Sequence, residues 1–190
     1  MEIGAQLYTV RDYCKNLTDF AETLKRVADM GYRTVQVSGA CAFEPEWLDG
    51  ELKKNGLRCV LTHTPGDRIA ADPAQVAKDH DRFGCEYVGL GWYGFDPEKP
   101  DGTFEHFVEV YGAAAKALRE HGKYFMYHNH DQEFRKYGGK RIRTELFPEN
   151  QGEETGTAGQ EPTFPKRVVL RNHGNDQEYG YLRNELGAQL

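Results

Sequence analysis

The chain has 190 residues, 38% of them hydrophobic, and a formal net charge of −6. That length suffices for one domain with a real core. The acidic balance, without any block rich in Lys and Arg, argues against a nucleic-acid partner, and no apolar run approaches a bilayer span.

Met1 to Ala5 lacks the basic and then apolar pattern of a secretory signal. Cys14, Cys41, Cys59 and Cys85 are far apart and form no CxxC pair, so reduced thiols in a cytoplasmic protein are expected. Ile3 to Val10 reads as a short strand. Thr18-Asp19 offers a helix N-cap, and Phe20, Leu24 and Val27 recur at helical spacing until Gly31. Thr34 to Ser38 is a β-branched strand closed by Gly39. Pro45 to Asn55 predicts a helix ending at Gly56, and Leu57 to Thr62 a third strand. Asp72-Pro73 opens the next helix, which Gly84 stops. Tyr87 to Trp92 is a fourth strand. Asp101 or Thr103 begins a long amphipathic helix ending at Gly122, and Lys123 to His130 is a fifth strand.

Strand and helix alternate five times with short connections. This predicts an α/β fold in which helices cover a parallel sheet, either a barrel or a doubly wound sheet. In both, the site lies at the carboxyl ends of the strands. No strand is followed by GxGxxG; Gly89-Leu90-Gly91-Trp92-Tyr93-Gly94 resembles it only loosely, and no phosphate-binding loop or GxSxG elbow is present. From about residue 140 the character changes. Lys140 to Arg143 is basic, and Glu149 to Pro165 is rich in Gly, Glu, Thr, Gln and Pro. The division is therefore 1–139 and 140–190, with an irregular tail. Within the tail, Val168-Val169-Leu170 is strand-like and could pair with a sheet edge, and Tyr181 to Leu190 could form a short helix.

Tyr127-His128-Asn129-His130-Asp131 follows an apolar run, and Glu133 lies just beyond. In an extended strand, alternate residues share a face, so His128 and His130 point the same way. Imidazole and carboxylate suit a divalent metal or a proton-transfer site. The competing reading is a hydrogen-bonded surface turn. His63 suggests substrate contact or a histidine bonded to a loop carbonyl. Gln36 could meet a polar group of a ligand or serve packing and hydrogen bonding. Trp92 and Tyr93 could wall an apolar ligand face or belong to the core. Glu133 is a ligand or a solvated residue, and His80, His106 and His121 are read as surface residues on helices.

Residues 1–139 resemble the sugar phosphate isomerase/epimerase family, with its xylose isomerase-like TIM barrel. The segments that carry the resemblance are Gly4-Ala5-Gln6-Leu7-Tyr8-Thr9-Val10-Arg11, Gly31 to Gly39, Thr62-His63-Thr64-Pro65 and Tyr127 to Phe134, in that order. The resemblance implies a partial (β/α) barrel of about five strand–helix units, since a full barrel has eight and about 250 residues. It implies a sugar or sugar phosphate isomerase or epimerase working by proton transfer beside a carbonyl, with a small carbohydrate as substrate. His128 and His130 would be catalytic, and His63, Gln36 and Trp92 substrate-binding. It also implies a divalent metal (Mn, Mg, Zn or Co), held in such barrels by carboxylates and a histidine at strands five to eight. His130 and Glu133 are the ligands on offer, and no counterpart of the later metal-binding strands is found. The expectation is weak or no activity for this chain alone, with self-association through open sheet edges. The alternative is a non-catalytic half-barrel that binds sugar without turnover. A metal-dependent endonuclease is disfavoured by the charge.

Overall fold

A computed structural model describes residues 3–96, 98–134, 136–137, 140–141, 169–171 and 182–183. The strands β1 (Ile3–Gln6), β2 (Thr34–Val37), β3 (Arg58–His63), β4 (Tyr87–Leu90) and β5 (Tyr124–Tyr127) are paired in that order, all parallel. Between them run α1 (Leu17–Asp29), α2 (Pro45–Lys54), α3 (Gly66–Ala71), α4 (Pro73–Arg82) and α5 (Phe104–Glu120). The parallel α/β fold is as the sequence predicts.

Several boundaries differ for local reasons. The first strand stops at Gln6 rather than Val10. Thr9 Oγ1 donates to the Gln6 carbonyl and Arg11 to the Tyr8 carbonyl, and residues 7–13 coil into a 3-10 turn. Asn16, not Thr18-Asp19, caps α1 by accepting the Asp19 N–H at 3.0 Å, and Gly31 ends it with φ +97°. The six-residue α3, which begins at Gly66 directly after Pro65, is an element the sequence reading does not include. Asp72 and Thr103 cap α4 and α5 as expected.

Two apolar clusters seat the helices on the outer face of the sheet. Phe20, Leu24 and Leu48 pack with Val35 and Val37; Val76, Phe107 and Leu118 pack with Val88, Phe125 and Tyr127. The inner face is set by a bulge. Val35 pairs with Cys59, but Gln36 pairs with Leu61, so Val60 is one residue too many on β3. Before the bulge Cys59 faces the helices with Val35; after it Thr62 does, and His63 turns to the inner face beside Gln36.

The tail corrects the expectation that β1 and β5 are left as unpaired edges. β8 (Val169–Arg171) pairs parallel with β1, and β9 (Leu182–Arg183) pairs antiparallel with β5, giving the order β8-β1-β2-β3-β4-β5-β9. The strand-like reading around Val169 thus holds, whereas Leu182 and Arg183 are extended, not helical. β6 (Lys136–Tyr137) and β7 (Lys140–Arg141) make an antiparallel pair across the boundary read at residue 139. Of the stretch 141–165 expected to be irregular, Arg141 instead lies in β7, and the rest lies outside the described residues.

Candidate functional site

Parallel strands bring their carboxyl ends to one side of the sheet. There they border a cavity of about 1140 Å³, whose wall includes Gln6, Arg11, His63, Trp92, His128 and His130. The three histidines singled out in the sequence therefore meet at one mouth.

Their meeting needs an empty strand between them. β4 separates β3 from β5, yet His63 Nε2 lies 3.3 Å from His128 Nδ1, with ring centroids 5.1 Å apart. β4 and the residue that follows it present glycines there. A Cβ at Gly91 would lie 2.7 Å from His63 Nδ1, and one at Gly89 would lie 2.3 Å from the Thr62 carbonyl oxygen. Sequence reasoning weighed these glycines only against a dinucleotide loop. Two glycines alternating on one face of a strand were the signal that something crosses it.

β5 ends at Tyr127, not His130, although the His128 N–H still donates to the Leu90 carbonyl at 3.0 Å. The rings of His128 and His130 stack at 4.8 Å and 8°, so both point to one side as alternation requires. Burial lowers His63 to about 3, with the neighbouring His128 and His130 adding to the effect, and lowers His128 to about 4. Near neutrality both are uncharged, as a base must be to accept a proton.

Glu133 is fully buried, which overturns its reading as a solvated residue. Its Oε2 accepts the His130 N–H at 2.7 Å, and its Oε1 accepts from the Tyr127 hydroxyl and from Gln132 Nε2. Burial and this carboxylate push the Tyr127 hydroxyl well up, so it stays a donor. The carboxylate thereby pins the His128–His130 segment to the end of β5.

Gln36 is fully buried with its amide nitrogen 2.7 Å from His63 Nε2, the hydrogen-bonding role rather than an open sugar contact. His63 is accordingly bonded to a side chain, not to a loop carbonyl. Trp92 lines the cavity and is 61% exposed, whereas Tyr93 packs against the core, so the two aromatics divide the alternatives between them. His80 is buried, not on the surface. Its Nε2 lies 2.8 Å from Thr62 Oγ1 and its Nδ1 donates to the Val76 carbonyl at 2.7 Å; burial lowers it to about 4. Its spacing from the buried Val76 and Ala77 was the available signal.

For a divalent metal the fit is poor. Among the described residues no group of three or more His, Cys, Asp and Glu side chains is placed to hold one. His130 Nδ1 is buried without a hydrogen-bond partner, but both oxygens of Glu133 are already engaged.

No family model matches the chain, and no curated protein matches it. Solved structures do. A sugar phosphate isomerase/epimerase from Parabacteroides distasonis superposes with a TM-score of 0.57 at 22% identity, covering 70% of this chain and 56% of that one. An AP endonuclease of family 2 from Brucella melitensis gives 0.53 at 19% identity, covering 66% and 54%. An L-ribulose 3-epimerase gives 0.50 at 16% identity, covering 66% and 48%. The chain spans about half the length of these structures. What they share with it is the fold, that of part of a TIM barrel.

Proposed function

We propose that this chain, folded as part of a TIM barrel, is an isomerase or epimerase of a sugar or sugar phosphate. The observation that carries this reading is the convergence of His63, His128 and His130 on one cavity at the carboxyl ends of β3 and β5. A neutral imidazole takes the proton from the hydroxyl-bearing carbon beside the carbonyl, becoming imidazolium as the enediolate forms. For isomerisation a proton is returned to the adjacent carbon while the hydroxyl proton passes to the former carbonyl oxygen; for epimerisation a proton is returned to the same carbon on the opposite face. His128 and His130 carry these transfers; His63 and Trp92 hold the substrate, with the indole against its apolar face. The test is incubation of the purified protein with a panel of aldoses, ketoses and their phosphates, followed by NMR. Appearance of the partner isomer or epimer is expected, and an unchanged panel contradicts the proposal.

A second reading is a carbohydrate-binding module that self-associates. It has less support, because the outermost strands among the described residues, β8 and β9, are only three and two residues long. Edges that short disfavour pairing with another copy. Sugar binding without turnover, together with a mass above the monomer in light scattering, supports it. An endonuclease reading has less support, because the net charge is −6. A cytoplasmic location is part of this proposal, supported by four cysteines that form no disulfide. Among the described residues no helix is long and apolar enough to cross a membrane.

A further inference from the structure

A line of polar side chains crosses the inner face of the sheet behind the cavity. Gln6 Nε2 donates to Gln36 Oε1 at 3.5 Å, Gln36 Nε2 lies 2.7 Å from His63 Nε2, and His128 Nδ1 lies 3.3 Å from that same His63 nitrogen. The line is continuous only because Gly89 and Gly91 place nothing in its way.

The chemistry of the donors fixes where the protons sit. An amide nitrogen donates and has no lone pair to accept with. The 2.7 Å contact therefore requires a lone pair on His63 Nε2, which puts the His63 proton on Nδ1. The lone pair of Nε2 also faces His128 Nδ1, which can approach it favourably only as an N–H donor. His128 then keeps its proton on Nδ1 and has its lone pair on Nε2. A neutral imidazole carries one proton, so the two contacts complete the assignment for the neutral rings.

We propose that Gln36 is a positioning residue: acting through His63, it fixes His128 as the Nδ1–H tautomer and leaves Nε2 as the nitrogen able to take a proton. Its consequence for turnover rests on the isomerase reading; the tautomers themselves do not. Orientation of a histidine by a buried neighbour is how proton-transfer sites select one ring nitrogen.

The experiment is a long-range ¹H–¹⁵N correlation on ¹⁵N-histidine-labelled protein at pH 7.5, assigned by the signals lost in His63→Asn and His128→Asn. Wild type is expected to show protonated Nδ1 and unprotonated Nε2 in both rings. Gln36→Glu supplies only acceptors at the same place when its carboxyl is ionised, which the ¹³C shift of the labelled carboxyl reports. With the carboxylate, the His63 proton is expected to move to Nε2 and His128 to lose its Nδ1–H preference. Gln36→Asn, with the same amide on a shorter stem, is the test of reach, and partial retention of the wild-type pattern is expected. Wild-type rings protonated at Nε2 would mean a reversed Gln36 amide and would overturn the inference. So would a Gln36→Glu spectrum like that of wild type. The wild-type pattern supports it with or without turnover, so failure of the isomerase reading is seen separately in the substrate panel.

Discussion

The imidazole of His63 occupies the space that a side chain at residue 91 would fill. A Cβ there would come within 2.7 Å of Nδ1 and 2.9 Å of Cγ. Gly91→Ala therefore has to swing the ring away from His128 and Gln36. The obstacle is a side chain, reaching back to its Cβ at 3.2 Å, and not backbone, so the fold should tolerate the change at a smaller cost than at Gly89, while kcat falls about 100-fold for misplacing the group. Gly89→Ala meets backbone instead, the Thr62 carbonyl at 2.3 Å, and should cost about 1–3 kcal/mol of stability. Melting curves and kinetics of the two variants check this contrast; equal effects of both on stability and rate would contradict it.

Glu133 sets the position of the segment that follows β5. Glu133→Ala leaves the Tyr127 hydroxyl and the His130 N–H without their acceptor inside the protein, at a cost of about 1–3 kcal/mol for each buried group. Tyr127→Phe should cost less than Glu133→Ala, because the second oxygen of Glu133 keeps its bond to His130. A double-mutant cycle by urea unfolding measures the coupling, which should be well above zero.

Acid should destabilise the protein in a definite window. His63 titrates at about 3 and His80 and His128 at about 4 in the native state, in each case lowered first by burial. In the unfolded chain each titrates near about 6.5. Between these values the unfolded state binds protons that the native state refuses, so stability is full above about pH 6.5 and falls as pH is lowered. The slope is at most about 1.4 kcal/mol per pH unit for each histidine. Melting temperatures should be flat from pH 8 to 7 and fall from 6.5 to 5; a rise on acidification contradicts the burial of these rings as neutral species.

How much of this was legible in the sequence follows from which residues act locally. Helix caps such as Asp72-Pro73, and the alternation of apolar runs with glycine stops, are local, and they gave five parallel strand–helix units. The histidine pair of residues 128 and 130 was legible because two-residue spacing survives even though the strand ends at Tyr127. Features that depend on a partner strand were not. The extra residue Val60 is visible only against the register of β2, and the role of Gly91 only once His63 stands opposite. Glu133 reads as solvated in a polar segment, and only the fold reveals the hydroxyl and the amide that it satisfies. The pairing of β8 and β9 joins residues over 50 positions or more from their partners, beyond any local signal.

Trp92 should act on binding more than on rate. It is 61% exposed on the cavity wall, so its removal changes little in the core. Trp92→Ala is expected to raise KM about tenfold, on the order of 1.4 kcal/mol, with kcat within a factor of about 3. A fall in kcat at unchanged KM would place it in the chemistry rather than against the substrate.

The central claim is proton transfer at the carbon beside a carbonyl by the imidazoles of His128 and His130. The most direct measurement is deuterium wash-in. The protein is incubated in D₂O with the sugar or sugar phosphate that it binds, and the substrate recovered before equilibrium is analysed by ¹H NMR. The account predicts loss of the proton signal at that carbon with wild type, and at least about a 100-fold slower loss with His128→Ala. Tight binding with no exchange, or exchange unchanged in both His128→Ala and His130→Ala, would contradict it.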